Sequence, residues 1–122
     1  MSKNILIVDN EKLIRKLHRA IIEHAGYEAI EAEDGKQGIQ LAKEHIPNLI
    51  LMDIQMPVMG GIEAVKILKS EPITKDIPVI AVTFVDEKVY KEKLLEQGFN
   101  DFISKPAAIK EILNTIKSIL GE

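Results

Sequence analysis

The sequence predicts an α/β domain, a parallel sheet doubly wound with helices on both faces. Short apolar runs alternate five times with longer segments of helical spacing, the signature of successive strand–helix units. Several runs are continuous rather than alternating, as expected of strands covered on both faces. Gly26, Pro47, Pro57 and Gly98 fall between these segments and punctuate them.

Ile5-Leu6-Ile7-Val8 is the first run, followed by a helix with Leu13, Ile14, Leu17, Ile21 and Ala25 on its inner face and Gly26 as its stop. Tyr27 to Ile30 reads as a weaker strand near an edge. Asp34 is placed to cap a second helix carrying Ile39, Ala42 and Ile46, which Pro47 ends. Leu49-Ile50-Leu51-Met52 is a third strand that ends at Asp53. A loop with Pro57 and Gly60-Gly61 leads to a helix with Ile62, Val65 and Leu68. Pro78 to Val82 is the fourth strand, ending at Thr83. Asp86 is the expected cap of a fourth helix that Gly98 closes. Asp101 to Ser104 is a short fifth strand before Lys105-Pro106, and a last helix carries Ile109, Ile112, Leu113, Ile116 and Leu120. Crossovers between parallel strands are right-handed almost without exception.

The chain has 122 residues, 46% apolar and 29% charged, enough for one domain spanning residues 1–122 with a core of its own. A formal charge of −3 argues against direct nucleic-acid binding, which needs a basic face. With no cysteine, disulfides, thiolate metal sites and cysteine nucleophiles are excluded. The apolar run at Ile5 is too short for a signal-peptide core, and no stretch approaches the roughly 20 apolar residues of a membrane span. A cytoplasmic protein with no membrane insertion is expected. The last helix runs almost to Glu122, so no output module is expected behind it.

In open parallel sheets the functional crevice lies beyond the carboxyl ends of the strands. Here those ends carry Asp9-Asn10-Glu11, Asp53, Thr83 and Lys105. Carboxylates, a hydroxyl and an ammonium in one crevice suit phosphoryl transfer. Carboxylate oxygens suit Mg2+, an ionised aspartate can attack phosphorus and form an acyl phosphate, and cations or hydroxyls can hold the non-bridging oxygens. No glycine-rich phosphate loop ending in Gly-Lys-Ser/Thr is present, which disfavours nucleotide hydrolysis.

From Asn4 to Leu120 the chain resembles the response-regulator receiver family of two-component signalling. The resemblance is carried by Ile5-Leu6-Ile7-Val8-Asp9-Asn10-Glu11, by Leu51-Met52-Asp53-Ile54-Gln55-Met56-Pro57-Val58-Met59-Gly60-Gly61, by Thr83, and by Asp101-Phe102-Ile103-Ser104-Lys105-Pro106. It implies a flavodoxin-like (βα)5 sandwich with strand order 2-1-3-4-5. It implies Asp53 as phospho-acceptor, with Thr83 and Lys105 contacting the phosphoryl group. Mg2+ would be held by Asp9, Asn10, Asp53 and the main-chain carbonyl of Gln55. Thr83 and Phe102 would form a switch, and the bond before Pro106 would be cis. A sensor histidine kinase or histidine phosphotransfer protein would supply the phosphoryl group, docking on the first helix near Leu13 and Ile14. A downstream protein target would bind the face formed by residues 86–120.

Three positions depart from the family pattern. Asn10 stands where a second acid is usual, so weaker Mg2+ binding is expected. Phe84, after Thr83, replaces a small residue and is expected to narrow the way to Asp53. Phe99 stands where alanine is common. Asn10 and Phe84 favour an alternative: a degenerate receiver that acts as a phosphorylation-independent interaction module. A phosphohydrolase using Asp53 would want a second acid where Gln55 sits, and a flavin-binding domain would want a hydroxyl- and glycine-rich loop in place of Asp9-Asn10-Glu11. Single residues carry plainer readings. His18, His24 and His45 read as surface residues, and Met56 and Met59 as loop packing. Glu87, Lys88, Lys91, Glu92 and Lys93 read as a solvated helix face.

Overall fold

A computed structural model describes residues 3–84 and 87–122. Five strands and five helices alternate: β1 (Asn4–Val8), α1 (Lys12–His24), β2 (Glu28–Ala32), α2 (Gly35–His45), β3 (Leu49–Asp53), α3 (Gly61–Ser70), β4 (Val79–Thr83), α4 (Glu87–Gln97), β5 (Asp101–Ser104) and α5 (Ile109–Leu120). The strands pair in parallel in the order β2-β1-β3-β4-β5, as the resemblance implied. Order reverses between β1 and β3, which opens a crevice at their carboxyl ends.

The central strands are buried along their whole length, so their apolar residues serve two cores. One lies under α2, α3 and α4 and contains Leu6, Val8, Ile50, Met52, Val65, Leu68, Leu94, Phe99 and Phe102. The other lies under α1 and α5 and contains Ile5, Ile7, Ile22, Leu51, Ile80, Ile103, Ile112 and Ile116. Alternation along a strand sends Phe102 to the first and Ile103 to the second.

Local chemistry sets the element ends. Asp34 caps α2 by accepting from the Gln37 backbone N–H at 2.9 Å. Gly26 and Gly98 take positive φ after α1 and α4. Gly61 is obligatory for another reason: an added Cβ would run into the Asp53 carbonyl, so only glycine lets α3 begin against the end of β3. The expected cap Asp86 lies outside the described residues. β2 lies one to two residues later than its predicted span.

Helix α1 differs from expectation in what it buries. Leu13 is 84% exposed and Leu17 53%, whereas Arg15, His18, Ile21 and Ile22 face inward. His18 is therefore a buried residue, not a surface one; His24 and His45 are exposed. The physical reason is that the inner stripe has polar partners beside it. Arg15 donates through Nη1 to the Asp9 carbonyl at 2.9 Å and through Nε to Glu31 Oε1 at 3.2 Å, so its guanidinium is satisfied where it is buried. In α5, Ile109 is exposed and Ile112 and Ile116 form the core contact.

Candidate functional site

Four polar side chains are buried at the carboxyl ends of β1, β3, β4 and β5. Asp9 follows β1, Asp53 ends β3, Thr83 ends β4 and Lys105 follows β5; none is more than 8% exposed. The ladder fixes their proximity. Asp53 is in register with Val82, one residue before Thr83, and the Lys105 N–H donates to the Thr83 carbonyl at 2.7 Å. The Lys105 ammonium reaches across the crevice, with Nζ 2.7 Å from Asp9 Oδ2 and 3.6 Å from Asp53 Oδ2. Asp9 Oδ1 accepts the Glu11 backbone N–H at 2.9 Å, which turns the chain out of β1 and holds the carboxylate facing Lys105.

Two carboxylates thus share one ammonium, and the buried set has a surplus negative charge. Burial holds the Asp53 carboxyl above its ordinary range. The charge of Asp9 adds to this, and Lys105 and the backbone N–H groups of Ile54 and Gln55 oppose it. His18, behind the crevice, is pushed below the usual imidazole range by burial; Asp9 works against that and Lys105 with it.

No group of three or more His, Cys, Asp or Glu side chains that could hold a metal occurs among the described residues. The oxygens that could hold a cation are of a different make-up: the carboxylates of Asp9 and Asp53, the amide of Asn10 beside Asp9, and the carbonyl of Gln55 two residues after Asp53. Asn10 and Gln55 are exposed. An all-oxygen set with uncompensated negative charge fits Mg2+ and not a softer ion.

The aromatic residues separate into two roles. The Phe84 ring is 65% exposed, and the Lys105 ammonium lies 5.3 Å from its centroid, within cation–π range. It covers the ammonium that Asp53 faces. Phe99 and Phe102 are both core residues, 3% and 4% exposed, in one cluster with Leu94. Phe99 therefore has no part in covering the crevice. Met56 and Met59 pack against the same cluster, and the Lys105-Pro106 bond is cis. Glu92 and Lys93 are exposed on α4, and the side chains of Glu87 and Lys88 lie outside the described residues.

Two features escaped the sequence reading. Glu31 on β2 accepts from Arg15, Lys16 and Arg19, with Lys16 Nζ at 2.8 Å and Arg19 Nη1 at 2.7 Å from Oε2. Its desolvation is outweighed by Lys16 and Arg19, and then Arg15, so the carboxyl sits at about 2. The signal was present as Arg15, Lys16 and Arg19 on one helix turn, but it has meaning only once β2 is paired beside β1. The second is Val58, which has φ of +66°. Exposed Leu17 and Ile109 border an apolar groove of about 360 Å3, with Ala20, Ile21, His24 and Leu113. A larger cleft, about 610 Å3, opens by the start of β2 and shares no residue with the Asp53 crevice.

Comparison with known proteins agrees with this fold. The family model described as "Response regulator receiver domain" matches residues 5–117. The chain is 43% identical over 122 residues to the polar-differentiation response regulator DivK of Brucella ovis, covering 100% of this chain and 99% of that one. Among solved structures, chemotaxis protein CheY4 of Vibrio cholerae superposes with a TM-score of 0.91 at 27% identity, over 98% of this chain and 99% of that one. The receiver domain of a sensor histidine kinase from Pseudomonas aeruginosa, with a magnesium ion coordinated in its active-site cleft, gives 0.91 at 25% identity over the whole of both chains.

Proposed function

The chain belongs to the response regulator receiver domain family, and on that premise we propose that Asp53 accepts a phosphoryl group from a histidine-phosphorylated donor and so changes the α4–β5–α5 face for a protein target. The observation that carries this reading is the Lys105 ammonium, buried between Asp9 and Asp53 at 2.7 and 3.6 Å. An aspartate that served only the fold would not be kept desolvated beside a second acid, because that arrangement costs stability.

Asp53 is the nucleophile: one carboxylate oxygen bonds to phosphorus as the bond from phosphorus to the donor nitrogen breaks. Lys105 meets the charge that builds on the transferring oxygens, and the Thr83 hydroxyl donates to one of them. Asp9, Asn10, Asp53 and the Gln55 carbonyl would hold Mg2+, which supplies charge neutralisation to the phosphoryl oxygens. The Phe84 ring over Lys105 limits the approach of water to the product. The exposed Leu13 and Leu17 of α1, beside the groove bordered by Ile109, are the surface for the donor. An apolar pair turned outward, with Arg15 and His18 turned in, is surface that a partner can cover.

Intact mass measurement after incubation with acetyl phosphate and Mg2+ tests the reading. Uptake of one phosphoryl group by the wild type and none by Asp53→Asn is expected; no uptake by the wild type, from acetyl phosphate or from any histidine kinase, sinks it. The second reading, an interaction module independent of phosphorylation, is favoured by the neutral amide of Asn10 and by the Phe84 ring on Lys105. It predicts that same absence of uptake.

A further inference from the structure

Val58 lies in the loop between β3 and α3, five residues after Asp53. Its φ is +66°, and across it the Met59 N–H donates to the Pro57 carbonyl at 2.7 Å. A three-residue turn with positive φ at its centre is the rare, strained form of the γ-turn. For a β-branched residue that backbone region is a true outlier. Glycine reaches it at no steric cost and asparagine at little.

The surrounding structure forces the turn whichever residue occupies it. The Met59 carbonyl accepts the Gly35 N–H at 3.0 Å, which ties the loop to the start of α2, and the Gly61 N–H donates to the Ile54 carbonyl at 2.9 Å. Met59 packs on the core. The loop is closed at both ends, and the strain falls on the one residue between. Packing does not compensate, because Val58 is 77% exposed. The isopropyl group is therefore retained at a structural cost with no return inside the domain.

We propose that the Val58 side chain is a contact for the protein that donates the phosphoryl group, and so helps select that donor; this rests on the phospho-acceptor reading of Asp53. Asp53 is only 6% exposed, so a donor side chain must be brought down into the crevice by a protein seated on its rim. Val58 is on the rim, in the loop that Asp53 itself begins. Leu13 of α1 is a second exposed apolar residue on this same edge of the sheet, 84% exposed. A donor that seats apolar surface on α1 meets Val58 when its phosphohistidine points at Asp53. A small phosphoryl donor enters the crevice without touching the rim.

The test uses Val58→Asn, which suits the turn and removes the apolar group, and Val58→Ile, which keeps both the strain and the apolar surface. The probes are acetyl phosphate and the autophosphorylated kinase core that transfers fastest to wild type, chosen by radiolabel profiling of the purified histidine kinases of the source organism. Val58→Asn is expected to raise Tm by a few degrees, to leave the acetyl phosphate rate unchanged, and to slow transfer from the kinase about tenfold. Val58→Ile should match wild type in all three. Wild-type transfer from the kinase to Val58→Asn overturns the proposal, as does an equal loss with both donors, which would make Val58 part of the crevice. Failure of wild type to accept acetyl phosphate or to be phosphorylated by any of the kinases removes the phospho-acceptor reading itself, a result distinct from either.

Discussion

Asn10 brings a neutral amide to a crevice whose acids are Asp9 and Asp53. Both of those carboxylates already face the Lys105 ammonium, so a cation entering there gains only the residual negative charge. A third carboxylate would add a full charge to the donor set, and cation affinity follows ligand charge closely. Asn10→Asp is expected to tighten Mg2+ binding by about tenfold, the equivalent of about 1.4 kcal/mol, read by titration of backbone amide shifts. The site needs no other change, since residue 10 is exposed beside Asp9; equal affinities would mean that the side chain of residue 10 does not reach the ion. The acids and the lysine were legible in the sequence because each ends or follows a strand, and strand ends converge in this topology. Burial of Arg15 and His18 was not legible. Hydrophobic periodicity assigned the inner face of α1 to Leu13 and Leu17, and it has no means of recognising a stripe whose polar tips are met by Glu31 and the Asp9 carbonyl.

Helix α1 and strand β2 are joined through one carboxylate. Glu31 sits on an edge strand, which leaves a row of backbone groups unpaired, and it gathers Arg15, Lys16 and Arg19 of the helix. Its folded value of about 2, against 4.5 for the free side chain, fixes the sign of its contribution. A lowered carboxyl stabilises the folded protein above the unfolded value, and that stability is lost as pH falls from 4.5 through about 2. Glu31→Gln should cost about 2 kcal/mol at neutral pH, with the difference from wild type shrinking as the medium is acidified through that window. Urea titrations at neutral and acid pH measure it; a difference that does not vary with pH would mean the ion pairs contribute nothing and only shape is lost. Lys16 and Arg19 lie on the surface side of this cluster, so the same change loosens the helix proposed to receive the donor. The element map itself was readable from alternation, down to the Asp34 cap of α2 and the Gly98 stop of α4. The one-to-two-residue offset of β2 reflects a short edge strand whose register is set by pairing with β1, Asn4 opposite Glu28, more than by its own pattern.

Over the whole molecule, the buried charges gather at the carboxyl edge of the sheet, while the other β-branched residue with positive φ, Ile46 at the end of α2 (φ +46°), lies at the opposite edge. Two desolvated acids, a buried lysine, a buried histidine behind them and Val58 lie at the carboxyl edge, above two apolar cores. A stable sandwich carrying a costly edge is the arrangement of a switch, because a new charge at the edge redistributes interactions that are already under load. In the proposed function, phosphorylation would put a group of charge near −2 at Asp53, and Lys105 is linked by its own N–H to the end of β4, so its movement toward the phosphoryl oxygens would pull on β5 and the turn into α5. Phe102 is buried in one cluster with Leu94 and Phe99. A switch role for Phe102 with Thr83 requires the ring to change place on phosphorylation, which its shielding from a soluble paramagnetic probe reads in both states. Backbone amide shifts on phosphorylation should change at Thr83 and Lys105 and across α4, β5 and α5, with α2 nearly silent. Unchanged amides from Glu87 to Leu120 would remove that face as the output surface; a Phe102 ring equally shielded in both states would remove the aromatic as a moving part.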